Sequence, residues 1–319
     1  ARGGLMDKVT IFGAGHVGAT TAFYLALSAT LEIALVDVAE GRATGIAMDI
    51  AQAMPYTGSG SRLVGGTDPG LAEGSDLVVV TAGFPRTPGM SRLDLTTRNA
   101  PIVTDIARTV AAGSPSAVLV NVTNPVDEMT FMAWEASGFD KRRVAGMAGV
   151  LDTSRFMYFL DRLASKPPRD VNAMVLGTHG DEMVPLTETS TVGGRPLSGE
   201  VDADVLGRVV ERTRDGGAEI VSYMKTGSAY YAPAVSIGTM ALAILGDTGR
   251  VLPVSAYLKG EYGISDMFLG VPAKLGRDGV LEVVELPLSS GELSALEAAA
   301  TGVGARLAEA RKAGSDESD

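Results

Sequence analysis

A glycine pattern near the start of the chain constrains the fold more than any other feature of the sequence. The segment Gly13-Ala14-Gly15-His16-Val17-Gly18 follows an apolar run, Val9–Phe12, and opens a helical pattern, Val17–Ser28. A strand, a G-x-G-x-x-G turn and a helix in this order form the dinucleotide-binding unit of a parallel sheet. The first glycine permits the tight turn, the second lets the backbone approach a pyrophosphate, and the third lets helix and strand pack closely. The residues predicted to contact the cofactor here are Gly13, Gly15, His16, Val17 and Gly18.

An acidic residue specifies which dinucleotide is expected. Asp37 follows the second predicted strand, Ile33–Val36, and lies 19 residues after Gly18. A carboxylate at this place can accept hydrogen bonds from the adenine ribose hydroxyls, and it would repel a 2′-phosphate. The sequence therefore predicts NAD rather than NADP as the cofactor.

The first half of the chain alternates short apolar runs with helical patterns. The runs in the middle are apolar at successive positions, which is typical of strands that are buried on both faces of a parallel sheet. Strand–helix alternation predicts an α/β fold with an open, doubly wound sheet of the Rossmann type. The remaining predicted strands are Leu77–Thr81, Ala117–Val122 and Arg143–Met147, and the remaining predicted helices are 39–53 and 98–112.

The pattern changes after about Val150. A helix over Asp152–Leu163 is followed by predicted strands over Val171–Leu176 and Met183–Thr187, and later runs between glycine turns indicate antiparallel strands. We therefore expect a Rossmann NAD-binding domain over 5–148, an α+β catalytic domain with antiparallel strands over 149–313, and a disordered tail over 314–319. Helices are also predicted over 202–224, 232–245 and 289–312, and antiparallel strands over 252–258, 267–271 and 279–285.

Composition excludes several classes of function. The 319 residues contain no cysteine, which rules out disulfides, Cys-ligated zinc, iron–sulfur clusters and a thiol nucleophile, and no metal site is predicted. The net charge of −11 disfavours nucleic acid and anionic membranes as partners. No apolar run reaches the roughly 18 residues that a membrane span needs, and the first residues lack the apolar core of a signal peptide. A cytoplasmic location is expected.

The loop after the third predicted strand carries two arginines, Arg86 and Arg92, between glycines and prolines. Ligands of open α/β sheets bind beyond the carboxyl ends of the strands, so this loop is suited to close over an anionic substrate. Two solvated surface arginines would give the same pattern.

Four further polar residues are candidates for a ligand-binding or catalytic site. Asn124 follows the next strand, where it either binds a ligand or forms an Asn-Pro turn. Asp152 and Arg155 share one helix face, as a site pair or an ordinary ion pair. His179, one of two histidines, lies in a glycine-flanked turn that suits proton transfer, and a carboxylate such as Asp152 could fix its tautomer.

Taken in order, these motifs resemble the lactate/malate dehydrogenase family, and more closely its NAD-dependent malate dehydrogenases. The resemblance extends from Val9 to the last predicted helix. The five blocks that carry it are GAGHVG at 13–18, GFPRTPGMSR at 83–92, VTNP at 122–125, LDTSR at 151–155 and GTHGDEMVP at 177–185.

The resemblance implies a role for each matching residue. Asp152 and His179 would form the proton relay, Arg92 would polarise the substrate carbonyl, and Arg155 would bind the C1 carboxylate. Arg86 would pair with the second carboxylate of malate or oxaloacetate, where lactate-type members carry a glutamine. Asn124 would orient the carbonyl and the nicotinamide, and Ser228 would contact the substrate. Further cofactor contacts are implied for Ala82, Gly83, Asn99, Val122 and Asn124.

The resemblance also implies a homo-oligomer. The LDTSR and GTHGD blocks are more similar to the tetrameric, lactate-dehydrogenase-like branch than to the dimeric one, so a tetramer is favoured. Three alternatives remain at this point: a lactate or other 2-hydroxyacid dehydrogenase, a non-catalytic dinucleotide-binding protein, and an NAD-dependent glycosidase. The last uses a metal with a cysteine ligand, which this chain lacks.

Overall fold

The computed structural model describes residues 6–85, 89–163 and 170–316, with side chains up to residue 312. Its first half is a parallel sheet with the strand order β3-β2-β1-β4-β5-β6. This is the order of a doubly wound dinucleotide-binding sheet, and it confirms the predicted fold class. The strands are β1 (Asp7–Phe12), β2 (Leu31–Val36), β3 (Arg62–Gly66), β4 (Leu77–Val80), β5 (Val118–Asn121) and β6 (Val144–Gly146).

Helices cover this sheet, so that two of its inner strands, β4 and β5, are buried at every position. All four residues of β4 and all four of β5 are buried, because a parallel sheet is covered on both faces. The helix after β1 packs against the helix after β2, and the helix after β4 packs against the helix after β5. These helices and the next are α1 (His16–Ser28), α2 (Arg42–Thr57), α3 (Arg92–Gly113), α4 (Val126–Ser137) and α5 (Gly149–Leu163).

Antiparallel strands of the second half extend the same sheet. Ser255 in β12 pairs with Gly146 in β6, and the order continues β6-β12-β13-β8-β9, with β14 also paired to β13. A second small sheet has the order β11-β10-β7. The strands are β7 (Val171–Asn172), β8 (Val175–Gly177), β9 (Met183–Pro185), β10 (Thr191–Val192), β11 (Arg195–Pro196), β12 (Arg250–Lys259), β13 (Ser265–Gly276) and β14 (Gly279–Val283), and the helices are α6 (Leu197–Glu200), α7 (Ala203–Met224), α8 (Tyr231–Leu245) and α9 (Ser290–Asp316). Over the described residues, no helix is both long enough and apolar enough to cross a membrane.

The structure corrects several predicted elements. Strand β3 and helix α4 had no predicted counterpart. Most of the first half of α4 is buried, so its sequence lacks the polar stripe that marks a surface helix. Helix α3 begins at Arg92 rather than at residue 98, because Ser91 and Asp94 form a capping box at its start.

The predicted single strand over Val171–Leu176 is two strands in different sheets. The backbone N–H of Val175 donates to Thr153 Oγ1 at 2.9 Å, and Leu186 N–H donates to Met174 O at 2.9 Å. At the carboxyl end, α9 continues to Asp316, so residues 314–316 of the predicted disordered tail are helical. No proline interrupts the helix there, and helix elongation adds one hydrogen bond per residue.

Candidate active site

The turn between β1 and α1 has the backbone geometry that a dinucleotide requires. Gly13 has φ +100°, and a Cβ there would lie 2.7 Å from Ala82 N. A Cβ on Gly18 would lie 1.9 Å from Gly13 O, so the helix can approach the strand only with glycine at this position. Gly15 differs, because a Cβ there would meet no described atom within 4 Å. The open side at Gly15, next to the first amides of α1, fits a pyrophosphate.

Asp37 lies at the carboxyl end of β2, and its carboxylate fixes the same turn. Oδ2 accepts a hydrogen bond from Ala14 N–H at 2.7 Å, and Oδ1 accepts one from Ala39 N–H at 2.9 Å. The side chain is half-buried. Each carboxylate oxygen can accept a further hydrogen bond, so this arrangement leaves Asp37 able to accept from a ribose hydroxyl.

Two predicted cofactor residues, His16 and Val17, begin helix α1 after the glycine turn. His16 is the exposed first residue of α1. Its ring stacks on Tyr230, with the centroids 5.1 Å apart. Tyr230 precedes α8, so the stack joins the cofactor turn to the second half of the chain. Val17 is half-buried and packs against the core.

A buried amide joins the two loops that follow β4 and β5. Asn99 in α3 is fully buried. Its Oδ1 accepts from Phe84 N–H at 2.7 Å, and its Nδ2 donates to Asn124 O at 2.8 Å. The predicted cofactor residues Ala82, Gly83, Val122 and Asn124 lie on these two loops, and the side chain of Asn124 is exposed. Asn99 therefore fixes the loops and leaves Asn124 free to meet a ligand.

The structure brings His179 and Asp152 into direct contact. The Nδ1 atom of His179 lies 2.9 Å from Oδ2 and 3.0 Å from Oδ1 of Asp152. Asp152 is in the first turn of α5 and has 1% of its side chain exposed, and the amino end of a helix favours a carboxylate. His179 follows β8 in a turn between Gly177 and Gly180, which both have positive φ.

This contact determines the protonation chemistry of the imidazole. The charge of Asp152 raises the pKa of His179 above its ordinary value, while burial and the nearby Arg155 oppose the rise. Because Nδ1 is held by the carboxylate, Nε2 is the ring nitrogen available to a ligand. The imidazole can therefore accept a proton at Nε2, with the positive charge stabilised by Asp152.

Arg155 supplies a buried cation beside this pair. Only 13% of its side chain is exposed, and its NH1 lies 3.4 Å from Asp152 Oδ1. Its Nε is buried, and within the described part of the chain it has no hydrogen-bond partner. Burial lowers the pKa of Arg155, with Asp152 opposing, but an arginine remains charged in a protein. A buried donor without a partner is rare, and it fits a site for a carboxylate.

A glycine pair that sequence reasoning missed makes room for this guanidinium. Gly216 and Gly217 are adjacent in α7, and a Cβ on Gly216 would lie 3.2 Å from Arg155 Cδ. A Cβ on Gly217 would lie 3.6 Å from Arg155 NH2. Adjacent glycines inside a predicted helix were the available signal, because glycine is unfavourable there without a packing reason.

Arg92 is paired with the acidic residues that follow His179. Its NH2 is 3.1 Å from Asp181 Oδ2, and its NH1 is 3.7 Å from Glu182 Oε2. Asp181 is 87% exposed, so this ion pair contributes at most about 1 kcal/mol and breaks easily. Arg86 lies outside the described residues.

Ser228 is exposed in the segment between α7 and α8. Across residues 6–85, 89–163 and 170–312, no hydrogen bond or ion pair joins it to His179, Asp152 or Arg155. Among the described residues, the structure thus joins three predicted residues by hydrogen bonds and ion pairs, and it shows no such bond from them to Arg92 or Ser228.

The comparisons with known proteins cover both halves of the chain. A family model for the lactate/malate dehydrogenase NAD-binding domain matches residues 7–146, and one for the lactate/malate dehydrogenase alpha/beta C-terminal domain matches residues 149–313. A malate dehydrogenase of Thermomicrobium roseum is 49% identical over 296 residues, which are 93% of this chain and 96% of that protein.

Solved structures agree with these matches. A malate dehydrogenase from Salinibacter ruber superposes with a TM-score of 0.92 at 42% identity, over 98% of this chain and 100% of that one. A lactate dehydrogenase from Cryptosporidium parvum, complexed with lactic acid and nicotinamide adenine dinucleotide, superposes with a TM-score of 0.93 at 35% identity, over 96% and 98% of the two chains.

Proposed function

The chain belongs to the lactate/malate dehydrogenase family, and on that premise we propose that it is an NAD-dependent malate dehydrogenase that interconverts (S)-malate and oxaloacetate. The observation that carries the proposal is the cluster of His179, Asp152 and Arg155, in which a proton-transfer pair lies beside a buried guanidinium with an unpartnered Nε. Relatives of nearly the same length that are 46% to 49% identical are named malate dehydrogenases.

In malate oxidation, His179 takes the proton of the C2 hydroxyl at Nε2. In oxaloacetate reduction, it returns that proton to the oxygen. Asp152 keeps Nδ1 protonated and stabilises the imidazolium, as in other carboxylate–histidine pairs. NAD, when bound, supplies the acceptor for the C2 hydride. Its adenosine half would be held by the open turn at Gly15 and by Asp37 at the end of β2.

The arginines orient the substrate. Arg155 binds the C1 carboxylate with its planar fork, and Arg86 pairs with the second carboxylate. Arg92 leaves the exposed Asp181 when the loop over 83–92 closes, and it then polarises the carbonyl. Closure excludes water, which strengthens each of these ionic contacts. A buried guanidinium facing a methyl group would be costly, so Arg86 selects a dicarboxylate over a monocarboxylate.

The experiment compares oxaloacetate with pyruvate at matched concentrations, with the absorbance of NADH as the signal. We expect a preference for oxaloacetate of ~10³ or more, since ~4 kcal/mol for a charge pair corresponds to that factor. The matched control is Arg86→Gln, which should shift the preference toward pyruvate. A preference for pyruvate in the unaltered protein would identify a lactate-type enzyme. No turnover of either would indicate a dinucleotide-binding protein.

The organisation of the protein is proposed on the same basis. We propose an NAD-binding domain over 5–148 and a catalytic domain over 149–313, as the family models divide the chain at nearly the same place. We also propose that the protein is a homotetramer, that it is located in the cytoplasm and that it acts in the tricarboxylic acid cycle. Sedimentation equilibrium at micromolar protein would test the tetramer, and a dimer mass would exclude it.

A further inference from the structure

Two consecutive carboxylates are buried beside the active site and have no role in the mechanism above. Asp127 and Glu128 lie in the first turn of α4, and each is 2% exposed. A carboxylate that is removed from water must either find a cation or give up its charge. Glu128 has a cation as its partner, whereas Asp127 has none among the described residues.

Glu128 has a cation. Its Oε1 lies 2.5 Å from Nε of Arg306, a residue of α9. The other two nitrogens of Arg306 bind Glu182, three residues after His179, at 3.2 and 3.1 Å. The guanidinium of Arg306 is therefore occupied by Glu128 and Glu182, and it is not available to Asp127.

The partner of Asp127 is a hydroxyl group rather than a cation. Ser255 Oγ in β12 donates to Asp127 Oδ1 at 2.5 Å. Across the described residues, no lysine or arginine forms an ion pair with Asp127. The amino end of α4 favours a carboxylate, but burial and the charge of Glu128 outweigh it. They raise the pKa of Asp127 to about 8, against the smaller opposing effects of Ser255, Arg306 and His179.

A row of paired residues across four strands connects the partner of this carboxyl, Ser255, to the strand that leads to the catalytic loop. Ser255 pairs with Gly146 on one side and with Gly270 on the other, and Gly270 pairs with Gly177, two residues before His179. A Cβ on Gly146 would lie 2.5 Å from Thr130 Oγ1 in α4, so glycine lets α4 lie against the sheet here. The start of α4 is thereby packed against the strands that lead to Asp152 and His179.

We propose that Asp127 is a positioning residue of the proton relay: its buried carboxyl has Ser255 rather than a cation as its partner, so that Asp152 governs the charge on His179 while Asp127 is protonated, and ionisation of Asp127 favours the protonated imidazole. The proposal rests on the function proposed above. The charged groups near Asp127 are Glu128 on its own helix, Arg306 on α9 and His179 after β8, while the buried residues of α3, which packs on α4, are uncharged.

The test measures kcat/KM for oxaloacetate reduction against pH in Asp127→Asn. The amide accepts the Ser255 hydrogen bond but cannot ionise. Reduction needs the protonated imidazole, so the ratio of wild-type to variant kcat/KM should stay near one below pH 7 and grow above pH 8. We expect about threefold or more at the alkaline end, which corresponds to half a pKa unit on His179. The matched control is Asp105→Asn, since Asp105 is 74% exposed on α3 and solvent screens its charge.

Infrared spectroscopy detects the proton on Asp127 directly. Infrared difference spectra of the intact protein should show the carbonyl stretch of a protonated carboxyl group at pH 7. This band should disappear as the pH rises, with a midpoint at pH about 8, and it should be absent from Asp127→Asn. Ser255→Ala removes a hydrogen bond that favours the ionised form, so it should move the midpoint to higher pH. This comparison remains available if Asp127→Asn does not fold.

Three results would overturn the proposal. The first is a ratio of wild-type to Asp127→Asn kcat/KM that stays constant through pH 9.5. The second is an Asp127→Asn variant whose kcat/KM is about tenfold lower at pH 6.5 although its thermal unfolding is unchanged. The third is the absence of a titrating carbonyl band. Each is distinguishable from failure of the proposed function, in which the wild-type protein itself would not reduce oxaloacetate.

Discussion

Nδ1 of His179 lies 2.9 Å from Oδ2 of Asp152, although 27 positions separate the two residues in the chain. Asp152 is on a helix and His179 is in the turn after a strand of the second half. The contact fixes which ring nitrogen faces a ligand, and it raises the pKa of the imidazole. Most of the expected behaviour of the site depends on this pair.

Replacing His179 by asparagine should remove turnover and leave cofactor binding intact. Asparagine keeps a polar side chain next to Asp152 but cannot carry the proton, so kcat should fall by about 10²–10⁴. NADH binding, measured by fluorescence titration, should change little because the dinucleotide turn is at β1. Turnover within about tenfold of wild type would show that another group is the base.

The same variant should reveal a pH-dependent contribution to stability. Because Asp152 raises the pKa of His179 in the folded state, the pair stabilises the fold fully below the unfolded pKa of about 6.5. This contribution is lost as the pH rises through the folded pKa. The difference in thermal midpoint between wild type and His179→Asn should therefore shrink from pH 6 to alkaline pH. A difference that is constant with pH would show that the pair is not charged in the folded protein.

The glycines beside Arg155 should matter for substrate binding. Gly216→Ala would put a Cβ 3.2 Å from Arg155 Cδ and displace the guanidinium, so we expect KM for oxaloacetate to rise about tenfold, or ~1.4 kcal/mol. Gly207→Ala is the control, because it lies in the same helix with nothing within 4 Å of its Cβ. Both changes favour the helix by roughly 0.5–1 kcal/mol. Equal KM values in steady-state assays of the two variants would contradict this account.

Asp37 should control the choice of dinucleotide. Asp37→Ser removes the charge that repels a 2′-phosphate, so the ratio of kcat/KM for NADH to that for NADPH should fall by about tenfold or more. The carboxylate also binds Ala14 N–H and Ala39 N–H, and the variant should therefore show a modestly lower thermal midpoint. An unaltered ratio of kcat/KM for NADH to kcat/KM for NADPH would mean that Asp37 only stabilises the turn and does not select the cofactor.

Local patterns were sufficient for the dinucleotide-binding turn and for most of the strands of the cofactor half. The G-x-G-x-x-G turn, the apolar strands and the position of Asp37 depend on residues close in sequence, and the backbone geometry at Gly13 and Gly18 agrees with the roles expected of them. Helix α4 was missed because its buried first half hides the amphipathic period, and with it the acid pair Asp127–Glu128 was overlooked.

The sequence by itself determined the Rossmann sheet, the NAD turn and the ordered motifs of the family, because these depend on short-range periodicity and on residue types at fixed spacings. The pairing of Asp152 with His179 was expected from the sequence, and the tertiary structure supplied its geometry. Only the tertiary structure decided that Arg155 keeps a buried Nε without a partner among the described residues, and that Arg306 pairs with Glu128 and leaves Asp127 to Ser255. The reason is physical. Burial and charge pairing across long sequence separations set the pKa of a side chain, and they exist only once the strands and helices have packed.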